Sequence, residues 1–475
     1  MYDLVIRSDQ VVTPAGVAAC DLAIQGEKIV AVGAAGSFGA ESARRVIDAN
    51  GKIVMPGGID PHVHLKWYSP HPDGSVTYTD PPSVVGRAAL YGGTTTLIDF
   101  VRWTHGKTIQ QAIEQRHKDW TEQCQCDYSF HVMVEGELPP EIFGQLAEAL
   151  RSGYPTVKMF TTDITPSRRG RMVDFGDIWE VFKVVAQEHG LCVIHGEDND
   201  IVMHMYDKVI RENRAGFENM AEVHNAMSED LSFRRVLGLA KNVPGIALYF
   251  MHVSAAFGVE AIREARARGM PVYGETLHQY LMYTSEDYKR PNGQIYHTYP
   301  SIKAQADQHA LWAGMLDNTI HTVATDEVCC SLKDKTMGKR VDDTTGGNVG
   351  VEPRVSLMYS EMVGRRGYSL ERFVDLVSSN AAKIMGLYPR KGALAVGSDA
   401  DITVLDPSRR FTLTKEMLHE SDYSPWEGHE MLAWPSTTVL RGKVVVDGGK
   451  YFGNVTDGKF LPRKISEAIR SGAML

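Results

Sequence analysis

The sequence predicts an α/β fold: a (β/α)8 TIM barrel joined to a β-sandwich domain assembled from both chain ends. Residues 56–389 alternate strand-like apolar runs with helical patterns, and the crossovers are long enough for parallel strand pairing. Residues 1–55 and 390–450 instead carry short strand patterns separated by Gly, Pro, Asn and Asp turns. Residues 451–475 remain as a C-terminal arm, which we expect near an oligomer interface.

The barrel prediction depends on eight apolar segments, most of them separated by helical patterns such as 175–189 and 259–268. The eight predicted strands are Ile53–His64, Thr94–Val101, Tyr128–Val134, Thr156–Phe160, Leu191–His195, Ala247–His252, Val272–Leu281 and His321–Asp326. Active sites of such barrels lie where the strands end, at the C-terminal face. Any reactive side chains at these strand ends would therefore converge on one mouth.

The amino-acid composition and net charge of the chain limit the classes of function that it can have. The chain has 475 residues, is 43% apolar and 23% charged, and has a net charge of −9, so neither nucleic acid nor an anionic membrane surface is a favoured partner. The first residues lack the basic and apolar regions of a signal peptide, and no apolar run is long enough to span a bilayer. Six cysteines in a chain of this length do not indicate a disulfide framework. We expect reduced thiols and a cytoplasmic protein.

Metal-competent side chains occur in five of the eight predicted strands. His62 and His64 are two residues apart, so in an extended chain both imidazoles point to the same side. A single histidine at a strand end is more often a hydrogen-bonded structural residue, and a lone aspartate there often caps a turn. The joint occurrence favours a metal site. The candidate ligands are His62, His64, Lys158, His195, His252 and Asp326.

Lys158 is an unusual member of this set, because a protonated lysine has no lone pair to offer a cation. Burial and nearby cations would lower its pKa and make the neutral amine available to react with CO2. The resulting carbamate, N6-carboxylysine, carries two oxygens that could bridge two metal ions. The alternative for Lys158 is an ordinary salt-bridging lysine at the barrel rim.

Several motifs give the chain a specific resemblance. The block Pro56-Gly-Gly-Ile-Asp-Pro-His-Val-His64 resembles the amidohydrolase superfamily. The segments Gly92–Phe100, His195–Asp200, Gly350–Arg354 and Ser379–Leu387 are similar to those of dihydropyrimidinases and D-hydantoinases. The similarity extends over nearly the whole chain.

The resemblance implies a centre with two divalent metal ions per chain, usually zinc. One ion would be held by His62, His64, carboxylated Lys158 and Asp326, and the other by Lys158, His195 and His252. A hydroxide bridging the ions would attack the amide carbonyl of a cyclic amide or imide, with Asp326 shuttling the proton to the leaving ring nitrogen. The resemblance also implies a homo-oligomer, a tetramer or a dimer, in which a segment near Phe460–Ile469 packs on a neighbour.

The expected substrate contacts are Thr161, Thr162, Asp163, Tyr299 and Asn348, and here the sequence departs from its relatives. Asp163 occupies the position of a tyrosine that stabilises the oxyanion, a role that a carboxylate cannot take over, which makes Thr161 or Thr162 the candidate donor. Tyr299 falls where a substrate-binding serine is usual. The loop 65–82, with Trp67, Tyr68, His71 and Tyr78, is long. We therefore expect unsubstituted hydantoin and dihydrouracil to be poor substrates.

Three other functions fit parts of the pattern. An acyclic amide hydrolase could use the same metal centre, and the departures at Asp163 and Tyr299 keep that interpretation open. A deaminase with a single metal ion would not need Lys158. A non-catalytic scaffold related to dihydropyrimidinase would be expected to have lost metal ligands, whereas all six are present.

Overall fold

A computed structural model of the chain describes residues 1–70 and 74–475, so His71 of the long loop lies outside the described residues. The strands in chain order are β1 (Tyr2–Thr13), β2 (Gly16–Gln25), β3 (Lys28–Ala34), β4 (Ala43–Asp48), β5 (Ile53–Pro56), β6 (Gly58–Asp60), β7 (Tyr68–Pro70), β8 (Val76–Tyr78), β9 (Thr94–Arg102), β10 (Asp127–Met133), β11 (Thr156–Phe160), β12 (Leu191–His195), β13 (Leu248–Phe250), β14 (Val272–Leu277), β15 (Thr322–Ala324), β16 (Ile402–Asp406), β17 (Phe411–Thr412), β18 (Glu430–Met431), β19 (Trp434–Leu440), β20 (Lys443–Asp447) and β21 (Lys450–Tyr451).

Helices separate most of the barrel strands and continue beyond the last one. The α-helices are α1 (Pro82–Tyr91), α2 (Ile109–Trp120), α3 (Glu141–Arg151), α4 (Phe175–Gln187), α5 (Asn199–Arg211), α6 (Met220–Val223), α7 (Ala226–Ala240), α8 (Ala256–Ala267), α9 (His278–Met282), α10 (Gln305–Leu316), α11 (Leu332–Lys335), α12 (Arg354–Tyr359), α13 (Leu370–Val374), α14 (Asn380–Ile384) and α15 (Glu467–Arg470). No helix of the described residues combines the length and the hydropathy that crossing a bilayer requires.

The barrel consists of eight parallel strands in the order β15-β14-β13-β12-β11-β10-β9-β6. It closes beyond the ends of β15 and β6, where Val63 forms a parallel bridge with Glu327 and the His64 amide donates to the Glu327 carbonyl at 2.8 Å. Strands β10, β11 and β12 are buried along their whole length, as expected for strands covered on both faces. The predicted (β/α)8 fold is therefore confirmed.

A nine-stranded sheet combines both chain ends, as predicted. Its order is β21-β20-β19-β16-β5-β1-β2-β3, with β4 paired to β1. N-terminal β5 lies between β1 and C-terminal β16, so the two ends of the chain share one sheet and one apolar core. Most pairs are antiparallel, while β4 and β5 run parallel to β1.

Most predicted barrel strands differ in extent from the observed strands, and two differ most. The segment predicted as Ile53–His64 splits into β5, which belongs to the nine-stranded sheet, and β6, which begins the barrel. Gly57 lies between them with its backbone so close to Thr95 that a Cβ atom would come within 2.2 Å of the Thr95 hydroxyl oxygen. The predicted strand 272–281 ends at Leu277, because α9 begins at His278.

A buried ionic network joins the nine-stranded sheet to the barrel. Asp127, the first residue of β10, is 0% exposed and its carboxylate lies 2.6 Å from the Lys391 ammonium group. Arg441, which follows β19, pairs with the same carboxylate, and Lys391 also contacts Asp401 just before β16. The charges of both units are therefore neutralised across their junction, as buried ion pairs require.

The C-terminal segment packs against its own barrel. The amide of Leu461 donates to the Tyr128 carbonyl at 2.7 Å, and the Phe460 ring centre lies 5.7 Å from that of Phe130. Arg463 is 4% exposed and its Nε donates to the Ser129 hydroxyl at 2.7 Å. Residues 459–463 of the expected arm thus pack against β10 of this chain, with Leu461 and Arg463 buried, and a role at an oligomer interface stays a prediction.

Candidate metal centre

One cavity of about 420 Å³ opens at the C-terminal ends of the barrel strands. The structure brings all six predicted ligands to its wall: His62, His64, Lys158, His195, His252 and Asp326. They come from five different barrel strands or from the residues that follow them. A set of residues that is scattered along the sequence therefore surrounds one space, as barrel geometry predicts.

Three of these residues form a tight cluster. The Nε2 atoms of His62 and His64 are 3.2 Å apart, and each lies 3.1 Å from the Asp326 Oδ1 atom. Tetrahedral zinc ligands at about 2.0–2.1 Å from the metal are separated from one another by about 3.3 Å. The three side chains therefore have the spacing of ligand atoms around a small divalent cation.

Glu275 of β14 orients the His62 ring through the ring nitrogen Nδ1, while Nε2 is the nitrogen next to His64 and Asp326. Its carboxylate accepts a hydrogen bond from His62 Nδ1 at 2.8 Å and another from the Tyr249 hydroxyl at 2.8 Å. The proton on Nδ1 leaves the Nε2 lone pair free to face the cavity. Burial disfavours a charged His62, but the carboxylates of Asp326 and Glu275 outweigh it and raise its pKa to about 9, so a metal ion that binds Nε2 must displace a proton from it.

Lys158 is 2% exposed and has no carboxylate partner within the described residues. Its Nζ atom lies 3.0 Å from the Met251 sulfur and 5.0 Å from the Phe160 ring centre. Burial lowers the pKa of Lys158 to about 7. A buried lysine without an anionic partner is costly when charged, so this nitrogen has the properties that formation of a carbamate requires.

His195 of β12 and His252, which comes after β13, lie between Lys158 and Asp326 in the strand order, with their ring centres 4.4 Å apart. The Nε2–H of His195 donates to Glu197 at 2.9 Å, and the other Glu197 oxygen accepts from His224 Nδ1 at 2.8 Å. Because Nε2 carries the proton, Nδ1 of His195 is the nitrogen available as a ligand. Burial lowers the pKa of His195 to about 4, which keeps the ring neutral.

Two of the candidate ligands have a strained backbone. His252 has a φ of 39° and Asp326 a φ of 53°, in the left-handed region that residues other than glycine rarely adopt. Each such residue costs on the order of 1–3 kcal/mol and persists only where the surrounding structure holds it. Both residues come two positions after the end of a short barrel strand, β13 or β15, and strained residues of this kind cluster at functional sites.

The predicted substrate contacts Thr161, Thr162 and Asp163 are not among the described residues that line the cavity. Thr161 is buried and donates to the Glu197 carbonyl at 2.8 Å. The hydroxyl of Thr162 accepts from the Ile164 amide at 3.1 Å. All three therefore support the cavity wall rather than form it.

Asp163 shapes the loop that follows β11. One of its carboxylate oxygens accepts hydrogen bonds from the amides of Gly170, Arg171 and Met172 at 3.0, 2.9 and 2.9 Å. The carboxylate is therefore engaged by the loop backbone and does not line the described part of the cavity, where we expected a substrate contact. The next residue, Ile164, has a φ of 68°, an outlier for a β-branched side chain.

Tyr299 does line the cavity, whereas Asn348 does not within the described residues. The Tyr299 hydroxyl donates to the Thr344 carbonyl at 3.0 Å, so its ring forms part of the wall. Asn348 is buried and its side-chain oxygen accepts from the Val349 amide at 2.7 Å. Trp67 and Tyr68 of the long loop also line the cavity, as does Thr298, which donates to Asp326.

Known proteins resemble the chain over nearly its whole length. The pattern of the amidohydrolase family matches residues 53–445. The chain belongs to this family. A D-hydantoinase of Ralstonia pickettii is 32% identical over 474 residues, which is 97% of this chain and 99% of the relative.

Solved structures of the same group match the fold. The dihydropyrimidinase of Brevibacillus agri NCHU1002 has a TM-score of 0.90 at 30% identity, covering 98% of this chain and 99% of that one. The D-hydantoinase of Bacillus sp. AR9 has a TM-score of 0.91 at 32% identity, covering 98% and 100%. These amidohydrolases confirm the resemblance that the sequence motifs indicated.

Sequence reasoning missed the residues that support the ligands of this amidohydrolase. A signal was available for Glu275, because it is a lone carboxylate inside the apolar run of β14. Glu197 follows His195 at i+2, a spacing that brings side chains to the same side of an extended chain. Buried carboxylates beside histidines are typical supports of metal ligands.

The role of Asp163 can be tested by substitution. Asp163→Ala should destabilise the loop 164–172, because three backbone amides lose their acceptor at a cost of about 1–3 kcal/mol in local stability. Hydrogen exchange at these amides should accelerate, with Asp200→Ala on the exposed surface of α5 as the control. Asp163→Asn keeps an acceptor oxygen and should be milder. A higher kcat in Asp163→Asn would contradict this structural role, because it would mean that the carboxylate repels the oxyanion formed in the reaction.

Proposed function

We propose that this amidohydrolase opens the ring of a cyclic amide or imide by metal-dependent hydrolysis, as hydantoinases and dihydropyrimidinases do. The observation that carries the proposal is the cluster of His62, His64 and Asp326 on the wall of a cavity that also contains Lys158. The similarity to D-hydantoinases over 97% of the chain supports the reaction type.

The donor set fits a pair of divalent metal ions. The close cluster offers two imidazole nitrogens and a carboxylate, with His62 losing its Nε2 proton when a metal binds, and a carboxylated Lys158 would complete the set. Lys158, His195 and His252 would hold the second ion. When bound, such ions lower the pKa of a water and polarise the substrate carbonyl. Zinc suits imidazole and carboxylate donors in this number, so we expect zinc.

Asp326 is the group we assign to proton transfer. Its Oδ1 faces the two histidines, while Oδ2 accepts a hydrogen bond from Thr298, which also lines the cavity. Although burial opposes ionisation, His62 and His64 hold the pKa of Asp326 well below its ordinary value, so its carboxylate is ionised. It would accept a proton from the attacking water and deliver it to the departing ring nitrogen.

Buried carboxylates fix the orientation of two of the proposed histidine ligands before substrate binds. Glu275 fixes the tautomer of His62, and Glu197 fixes that of His195 through hydrogen bonds of 2.8 and 2.9 Å. Such supports typically change metal affinity or activity by 10–100-fold when they are removed.

The test of the proposed function is a substrate panel with metal-loaded enzyme. Hydantoins, dihydropyrimidines, cyclic imides, lactams and linear amides are compared, with ring opening followed as the appearance of the open acid. Hydrolysis confined to cyclic amides or imides supports the proposal. Turnover of linear amides alone would favour the acyclic amide hydrolase, and no turnover of any member would contradict both assignments.

Metal content gives a second test. The purified protein should bind about two divalent ions per chain, because six donor groups surround one cavity and Lys158 can supply a bridging anion. Elemental analysis of active enzyme provides the measurement. A His64→Ala, His195→Ala double variant serves as the matched control, since it removes one histidine from each proposed ion. Active enzyme with a single bound ion would rule out the two-ion centre.

Assembly and location stay predictions at this point. A homotetramer or homodimer is expected from the family, and sedimentation of the purified protein measures it. A cytoplasmic location is expected as well, and all six cysteines are free in the structure.

A further inference from the structure

The wall of the cavity has an excess of positive side chains, which a neutral cyclic substrate would not neutralise. Besides the metal ligands, its wall includes four arginines, Arg102, Arg168, Arg169 and Arg171, and one further carboxylate, Glu135. Glu135 pairs with Arg102 and also lies 3.4 Å from Arg171 Nε. One carboxylate is therefore the ion-pair partner of two of the four guanidinium groups.

Arg168 and Arg169 form no ion pair with any described residue. Arg168 is half-buried, and its guanidinium carbon lies 5.6 Å from the ring centre of Tyr299 on the same wall. Arg169 is exposed at the cavity rim. A half-buried guanidinium without an anion has lost part of its hydration and gained no counter-charge, so an anionic ligand would stabilise it.

The loop that carries these arginines lies beside the proposed metal centre. The Arg171 guanidinium carbon and the Lys158 Nζ atom lie 4.9 and 5.0 Å from the centre of the same Phe160 ring. Asp163 holds the backbone of residues 170–172 through its three hydrogen bonds. The loop backbone is thus held directly after Arg168 and Arg169, which lowers the cost of ordering the loop when a ligand binds.

Resting on the proposed function, we infer that the substrate is a cyclic amide or imide that bears a carboxylate, and that Arg168 with Arg169 binds this group. A planar guanidinium matches a carboxylate with two parallel hydrogen bonds. The position of the arginine loop next to Lys158 places the anion on the ring or on a short substituent of it. The reacting carbonyl then faces His62, His64 and Asp326, while the carboxylate faces the loop.

Matched ring pairs test this inference. Dihydrouracil carrying a 6-carboxylate is compared with its 6-carboxamide, and hydantoin carrying a 5-acetate with its 5-acetamide, so that size is constant and only charge differs. In the unmodified enzyme the carboxylate should have the higher kcat/KM by about 10–100-fold, the value of a charge-assisted hydrogen bond. Its kcat/KM should fall as salt is added, whereas that of the carboxamide should not.

Variants assign the effect to the loop. Arg168→Gln should remove most of the carboxylate preference, mainly through KM, and leave the carboxamide within about threefold. Arg168→Lys keeps the charge and should retain part of the preference, and Arg268→Gln, an exposed arginine on the outer surface, is the control.

Three results would overturn the inference. They are equal rates for carboxylate and carboxamide rings in the unmodified enzyme, a preference without salt dependence, and an equal loss for both rings in Arg168→Gln. The last result would mean that the arginine binds the carboxylate formed by ring opening, or acts on the reaction itself. Failure of the proposed function has a different signature, since neither member of any pair would then be opened.

Discussion

Asp326→Asn should lower kcat/KM for the best cyclic amide by about 10²–10⁴-fold, the usual contribution of a general acid–base group. The substitution keeps the shape of the side chain and an oxygen near His62 and His64, but it removes the charge and the proton-accepting oxygen. Because Asp326 is also a candidate ligand, some loss of metal is expected. Activity is therefore measured per bound metal ion across a pH range.

The Asp326 experiment has a matched control in Asp230→Asn, an aspartate on the surface of α7 that pairs with Arg234. This variant should behave as the unmodified enzyme. A decrease of less than about tenfold in Asp326→Asn at full metal occupancy would count against proton transfer by this residue. In that case the role of Asp326 would be limited to holding the metal.

Lys158→Ala should abolish turnover and lower metal content. It removes the group that we propose as the link between the cluster of His62 and His64 and the pair of His195 and His252. The variant also leaves a space open beside Met251, which Lys158 contacts at 3.0 Å. A small carboxylate such as formate or propionate could enter that space and replace the carbamate oxygens, so millimolar amounts should restore part of the activity.

The exposed Lys183→Ala in α4 is the control for this substitution and should have no effect. Mass spectrometry of the intact metal-loaded protein under non-denaturing conditions should show the added CO2 in the unmodified chain and not in Lys158→Ala. Full metal content and an unchanged rate in Lys158→Ala would show that the lysine is a structural residue of the wall.

The parts of the fold that could be predicted are those that depend on local patterns of apolar and polar residues in the sequence. Alternating apolar runs and helices indicated the barrel, and reactive residues at the strand ends indicated the cavity, because parallel strands bring those ends together. The split of Ile53–His64 could not be predicted in the same way. It depends on the tight approach of Gly57 to Thr95, which is a tertiary contact.

The substrate side of the cavity was less accessible to sequence reasoning for a physical reason. Asp163 was interpreted from the position it occupies relative to Lys158, yet its direction is decided by amides seven to nine residues later in the chain. Loop conformation of this kind depends on hydrogen bonds between residues that no periodic pattern links. The arginines of the same loop were therefore missed as well.

The junction between barrel and sheet bears on how this protein can be divided. A barrel expressed without the chain ends would keep Asp127 at the base of β10 but lose Lys391 and Arg441, the two cations beside it. An uncompensated buried charge costs about 3–5 kcal/mol, a large share of the stability of a typical domain. Domain shuffling or truncation at this junction should therefore yield insoluble barrels unless Asp127 is replaced by a neutral residue in the same step.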